Sequence, residues 1–175
     1  MEGGLARSVE LAGVKTLIIL RHSKTEKINP AGDPARELTK PGRRWATEAG
    51  REIFEAAGMP DLLVTSNAIR ALQTGDLAAE AMQFSGERRV VPEVYGATEN
   101  ELIEVIQKFP ENFEKIVLVG HNPGLEELSN SFRGAKATDH LPTAGWMVVE
   151  LGAATWADAK AGSGKVKASG TPNKE

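Results

Sequence analysis

Two short apolar runs in this sequence end in a histidine. Thr16–Leu20 is followed by Arg21-His22, and Lys115–Val119 by Gly120-His121. A third run, Asp61–Ser66, is followed about one helical turn later by Arg70. These residue types suit one kind of chemistry. A guanidinium is permanently charged and fork-shaped, so it grips phosphate oxygens bidentately. A neutral imidazole, with a reference pKa of ~6.5, is a competent nucleophile near pH 7. Its other ring nitrogen must hold the proton, and a backbone carbonyl in the Arg21–Lys24 turn is the expected acceptor. The pattern predicts that His22 attacks phosphorus and transiently carries a phosphoryl group. Arg21, Arg70 and His121 would stabilise the equatorial oxygens. Asn122, at the opening of the next helix, is a further expected phosphate contact.

Each feature taken singly has a plainer reading. A polar pair can simply mark the end of a strand. Arg70 can lie along its helix as a surface arginine. "GHNPG" (120–124) can be a tight turn whose Asn and Gly serve backbone shape. The third histidine, His140, precedes Leu141-Pro142 and reads as a loop or pocket-rim residue.

The elements that must position these residues follow from hydrophobic spacing. Val14–Leu20, Asp61–Ser66, Glu114–His121 and Gly145–Leu151 read as strands, and Arg88–Gly96 as a strand-like stretch cut by Pro92. Between them lie helical patterns. One opens at Thr39 as N-cap with Pro41 in its first turn and stops at Gly58. A second follows Ser66 or Asn67 as cap. A third begins at Thr98 with Glu101 three residues later, a capping-box signature. A short fourth begins near Pro123. Ser23–Arg36, with Asn29, Pro30, Gly32 and Pro34, reads as a loop. Strands alternating with helices predict an α/β fold: a single three-layer α/β/α sandwich with a mainly parallel sheet. Such sheets bind ligands outside the carboxyl ends of their strands, where all three candidate junctions would then meet.

Length and composition set the outer bounds. The chain has 175 residues, a formal net charge of −3, three histidines and no cysteine. Disulfides, thiol chemistry and thiolate metal sites are excluded, and the absence of cysteine is compatible with a reducing cytosol. No HExxH-type spacing occurs, so no metal site is expected. No global basic field points to nucleic acid. No run approaches the ~20 apolar residues of a membrane span, and the start lacks a signal-peptide core. The expected organisation is a flexible segment over residues 1–13, one domain over 14–158, and a disordered polar tail over 159–175. "GSGK" in that tail fails the P-loop signature on spacing and on Val166 after the lysine. A cytoplasmic monomer is the expectation.

The ordered set "LIILRHSKTE", "SNAIRALQTG", "VGHNPGLEELS" and "LPTAGWMVVEL" resembles the histidine phosphatase superfamily, which is phosphoglycerate mutase-like in fold. It is most similar to the short SixA-type branch, the phosphohistidine phosphatases. The likeness runs from about Thr16 to Leu151, and "RELTKPG" matches that family's "LTxxG" helix start. The resemblance implies that His22 is the phosphorylated nucleophile, with Arg21 and Arg70 as its partner arginines and His121 as the second pocket histidine. It implies no metal and no organic cofactor. Ser23 stands where many relatives have glycine, and its hydroxyl is expected to add a phosphate contact. Many relatives also use a carboxylate as general acid. Glu93 is the first candidate here and a solvent-facing role its alternative; Asp33 and Glu26 are weaker candidates.

The resemblance implies a phosphatase acting on phosphohistidine in a protein, because the chain between Tyr95 and His121 is too short for a capping insertion. The alternatives are a phosphomonoesterase acting on a small phosphorylated metabolite, and a non-catalytic phosphate-binding module.

Overall fold

A computed structural model of the chain describes residues 13–175; most of the segment expected to be flexible, residues 1–12, lies outside the described residues. Six strands form one sheet: β1 (Thr16–Arg21), β2 (Leu62–Thr65), β3 (Glu87–Val90), β4 (Lys115–Gly120), β5 (Trp146–Leu151) and β6 (Gly164–Gly170). Four helices accompany them: α1 (Lys40–Ala57), α2 (Ile69–Ala81), α3 (Glu99–Gln107) and α4 (Gly124–Arg133). The sheet order is β3-β2-β4-β1-β5-β6.

β1 takes a central place because both of its faces are apolar. Leu17 and Ile19 pack with Leu102 and Ile106 of α3 and Leu125 and Leu128 of α4. Ile18 and Leu20 point the other way, into a cluster with Ala49 and Ile53 of α1 and Ala71 and Ala78 of α2. Alternating side chains on a strand covered on both faces produce the continuous greasy run seen in the sequence. Helix starts also follow local chemistry. Thr39 caps α1 by accepting from the Gly42 N–H at 3.1 Å, and Gly58 ends it at φ 74°. Thr98 and Glu101 form the expected capping box.

Three expectations are corrected. The sheet is mixed rather than mainly parallel. β1, β2, β3 and β4 run parallel, whereas β5 is antiparallel to β1 and β6 antiparallel to β5. Residues 152–163, between β5 and β6, form a short link without an α-helix that suits an antiparallel return, whereas α4 lies between β4 and β5. The tail expected to be disordered from residue 159 contains β6. An edge strand needs mainly a partner for its backbone, and β5 supplies one. A register shift at Val148/Val149 sets Val166 against one core cluster and Ala168 against the other, while Lys165 and Lys167 face solvent. Finally, neither Ser66 nor Asn67 is the N-cap of α2. That position is Ala68, and it has no side-chain cap.

The topology makes the site. β1, β2 and β4 are parallel, so Arg21-His22, Ser66 and His121 all emerge at one edge of the sheet. Two motif glycines close the loops over it. A Cβ on Gly42 would collide with the Lys24 carbonyl, and one on Gly124 with the Ala97 carbonyl.

Candidate active site

Arg21, His22, Arg70 and His121 are brought together at that edge. The imidazole rings of His22 and His121 lie 5.2 Å apart, tilted at 48°. His22, Arg70 and His121 are 7%, 6% and 8% exposed, so the cluster sits in a shallow, largely desolvated cup.

The His22 tautomer is fixed locally. Its Nδ1 lies 2.8 Å from the Ser23 carbonyl oxygen. A carbonyl only accepts, so Nδ1 carries the hydrogen and Nε2 keeps its lone pair. The backbone around it is also held. The His22 N–H donates to Gly120 O at 3.0 Å, and His22 O accepts from the Ala144 N–H at 3.2 Å. Burial, opposed by the Ser23 hydrogen bond and reinforced by His121, Arg70 and Arg21, pushes the imidazole down to about 3. Neutral pH therefore finds it unprotonated.

His121 is oriented by Ser66, whose Oγ lies 2.6 Å from Nε2. The same Oγ accepts from the Ala68 N–H at 3.2 Å. The Ser66 hydroxyl has no other acceptor among the described residues, so it donates to Nε2, and the hydrogen of a neutral His121 stays on Nδ1. That Nδ1 is buried and has no protein partner among the described residues. Burial first, then Arg70, lowers His121 to about 4, with Asp33 opposing.

The arginines are gripped from one side only. Arg70 donates from NH1 to Asp33 O at 3.0 Å and from NH2 to Asp33 Oδ2 at 3.1 Å. Arg21 donates from NH1 to Leu141 O at 3.0 Å. The Nε of each arginine is buried and unpartnered. Desolvating a guanidinium costs several kcal/mol. A half-exposed partner such as Asp33 returns at most ~1 kcal/mol. Two guanidiniums with spare donors, Arg70 buried and Arg21 half-buried, therefore suit an anion in the cup far better than they suit the fold.

The remaining sequence candidates are placed elsewhere. Ser23 is fully buried, and its Oγ donates to Gly42 O at 2.6 Å, not into the cup. Asn122 spends its amide hydrogens on Leu141 O at 2.9 Å and Glu126 Oε2 at 3.1 Å, leaving none for phosphate. It helps hold the turn that also receives Arg21. Glu93 lies in a 3-10 turn two residues before Tyr95 and is exposed. It makes no hydrogen bond or ion pair among the described residues. It lines an outer groove with Arg89, Glu104 and Lys108. Glu26 is engaged within its own loop by Asn29 and Glu37. Asp33 does reach the site, but as a fixed anion. The Tyr95 hydroxyl, then Arg36 and Arg70, hold its carboxyl well below the usual range, which disqualifies it as a proton donor. His140 is exposed and lies 2.8 Å from Glu126 Oε2.

Sequence reasoning missed two residues that complete the site. Ser66 reads as a cap, yet its hydroxyl orients His121. Tyr95 reads as a strand residue, yet its ring meets the His121 ring edge-on at 5.5 Å and its hydroxyl donates to Asp33 Oδ2. The signal for Ser66 was its position at the end of a central strand. Tyr95 gave none. Among the described residues no group of three or more His, Asp or Glu side chains is placed to hold a metal ion.

No family model matches the chain. An uncharacterized protein of Mycobacterium tuberculosis is 29% identical over 152 residues, covering 82% of this chain and 93% of that one. An uncharacterized chloroplastic protein of Arabidopsis thaliana is 28% identical, over 86% of this chain and 72% of that one. Among solved structures, the protein histidine phosphatase SixA complexed with tungstate superposes with a TM-score of 0.70 at 17% identity, covering 89% and 96% of the two chains. A protein of Nakamurella multipartitia named for the SixA phosphohistidine phosphatases gives a TM-score of 0.76 at 24% identity, over 91% and 97%. A mycobacterial glucosyl-3-phosphoglycerate phosphatase gives 0.58 at 16%, over 87% and 97%. These neighbours are named as phosphatases, and the strand ends that the sequence motifs mark lie together at one edge of the common sheet. This chain has the fold of the histidine phosphatase superfamily, in its short, SixA-like form.

Proposed function

We propose that the protein is a phosphatase that works through a phosphohistidine intermediate on His22, and that its substrate is phosphohistidine in a protein. The observation that carries this reading is the His22 ring. Its Nδ1–H is committed to Ser23 O, its Nε2 is bare, and two guanidiniums whose Nε atoms are buried and unpartnered stand beside it. A binding module needs the charge but not the aimed lone pair.

The steps balance with these groups alone. Nε2 of His22 attacks phosphorus, forming an N–P bond as the bond to the leaving group breaks. Arg21, Arg70 and the Nδ1–H of His121 hold the equatorial oxygens, where charge is greatest. The leaving group takes its proton from solvent or a weak donor. Water then attacks the phosphoryl group on His22, releasing inorganic phosphate and restoring neutral imidazole. Asp33 is fixed as an anion and Glu93 stands outside the cup, so no strong general acid serves the leaving group. An imidazole leaving group needs less protonation than an alkoxide, which favours phosphohistidine over simple phosphate esters. That the SixA neighbour was solved with tungstate, a tetrahedral oxyanion like phosphate, fits the same cup.

The test is phosphoryl capture followed by turnover. A phosphohistidine peptide should label the wild-type chain transiently and release inorganic phosphate. His22→Ala should show no label and lose at least ~10³-fold in turnover, with a melting temperature within a few degrees of wild type. Near-normal turnover in His22→Ala would overturn the mechanism. A clear preference for sugar phosphates would overturn the substrate.

A further inference from the structure

β6 delivers residues 171–175 to the active-site edge. Gly170 of β6 pairs with Trp146 of β5, and Trp146 pairs with Leu20 of β1, two residues before His22. Residues 171–175 therefore leave the sheet where the cup opens, and they return over α1. There Lys174 Nζ lies 5.0 Å from the centroid of the Trp45 ring and donates to Thr143 Oγ1 at 3.1 Å. Lys24, two residues after His22, brings its Nζ to 5.5 Å from the same ring. Thr143 belongs to the turn whose Ala144 N–H bonds to His22 O and whose Gly145 O receives the Arg21 N–H. Two ammoniums thus share one indole beside the turn that bonds to the His22 and Arg21 backbone.

That gathering is unfavourable by itself. Neither lysine forms an ion pair among the described residues, although the chain is acidic overall. Burial, then the charges of Arg21 and Lys24, lower the proton affinity of Lys174. Cation–π contact with Trp45 offsets part of the repulsion. An anion lying between the two ammoniums would offset more.

We propose that Lys24, Trp45 and Lys174 form a second anion subsite beside the phosphoryl cup, which takes a carboxylate or a second phosphate carried by the same substrate. This rests on the reading of the cup as a phosphoryl site. The subsite selects among phosphorylated substrates and takes no part in bond cleavage, because its cations flank the mouth and do not enter the cup. Its chemistry is shared by an acidic side chain next to a phosphorylated residue and by a small phosphorylated acid.

The experiment uses equilibrium binding to the full chain made inert by His22→Asn, with and without Lys24→Gln/Lys174→Gln. Two matched pairs of ligands separate the sources. One is a pair of phosphohistidine peptides with Asp or Ala beside the phosphorylated residue. The other is phosphoglycolate against ethyl phosphate. In at least one pair the acidic member should bind about tenfold tighter, and that pair identifies the source. The lysine substitutions should remove this advantage and leave the neutral member within about twofold. High salt should do the same to the chain with both lysines. Equal binding of both members in both pairs would overturn the proposal, as would an equal loss on both members in the lysine variant. Turnover by the wild-type chain is read separately. Absent turnover with the binding advantage intact would sink the phosphatase reading and leave the subsite standing.

Discussion

Arg70 and Lys174 are cations at the same sheet edge, yet they stand in opposite environments. Arg70 is buried, its fork pinned to Asp33 by two hydrogen bonds, and it lies against the face of Tyr95 with its guanidinium 5.8 Å from the ring centroid. Lys174 is exposed and held by one hydroxyl and an aromatic face. In the cup, low local dielectric makes each charge–oxygen contact strong and places it before the substrate arrives. On the rim, solvent and salt screen the same charges. The difference separates two tasks that need not share residues. In the proposed reading the cup would set the rate for any phosphoryl group that enters, and the rim would bias which molecule brings it.

Truncating the buried cation is the harshest test of that division. Arg70→Ala should lower kcat/KM by about 10²- to 10³-fold, the usual scale for removing one preorganised donor from developing negative charge. The loss should appear in both kcat and KM, and it should be nearly the same for acidic and neutral substrates. It should also persist in high salt. A loss that salt abolishes, or one confined to acidic substrates, would make Arg70 a rim-type residue and erase the contrast.

The acid limb of the pH profile sharpens it further. In the proposed mechanism only neutral His22 attacks, so activity should be lost as pH falls through its pKa in the folded chain. Burial and neighbouring cations put that value at about 3. The ratio kcat/KM should therefore stay level from pH 7 to about 5 and decline only as pH approaches 4 and below. A bound phosphate stabilises the protonated ring, so kcat should bend at higher pH than kcat/KM. Stability moves with the same sign. The unfolded chain takes up protons below ~6.5 that the folded histidines refuse, so stability falls from there down to about 3. Circular dichroism at each pH keeps the two losses apart. A kcat/KM midpoint near 6.5 with the fold intact would mean that His22 is solvated, and the cup would differ little from the rim.

The sequence made the cup legible because its residues sit at strand ends, where type, spacing and one topological rule decide what meets what. Even the Ser23 carbonyl that fixes the His22 tautomer belongs to the segment directly after β1, where a backbone acceptor is expected. Three things were not legible. The Ser23 hydroxyl pairs with Gly42 across the start of α1, a contact set by how closely a helix approaches a loop. Asp33 and Tyr95 meet through two irregular segments whose paths no periodicity encodes. β6 has too few apolar residues to announce itself, since an edge strand draws its order from the neighbouring backbone. Without β6 the chain end looks like a solvated tail, and the rim that it builds disappears with it.

Glu93 is where the smallest effect is expected and where the reading of the leaving group is most exposed. As a general acid it would have to reach the leaving atom, and its removal would cost about 10²-fold or more in kcat, most of all on esters with poor leaving groups. Instead it is exposed in a 3-10 turn and lines a groove with Arg89, Glu104 and Lys108 whose lining includes neither His22 nor His121. Glu93→Gln should therefore leave kcat on a phosphohistidine peptide within about twofold of wild type, and leave the pH profile unmoved. The informative comparison is with an alkyl phosphate assayed in parallel. If Glu93→Gln spared the peptide but lowered kcat on the ester more than tenfold, Glu93 would be reaching the cup during turnover. The absence of a strong acid would then no longer explain a preference for phosphohistidine. If both substrates are unaffected, leaving-group basicity alone sets that preference, and esters should fall off in rate as their alcohols become more basic.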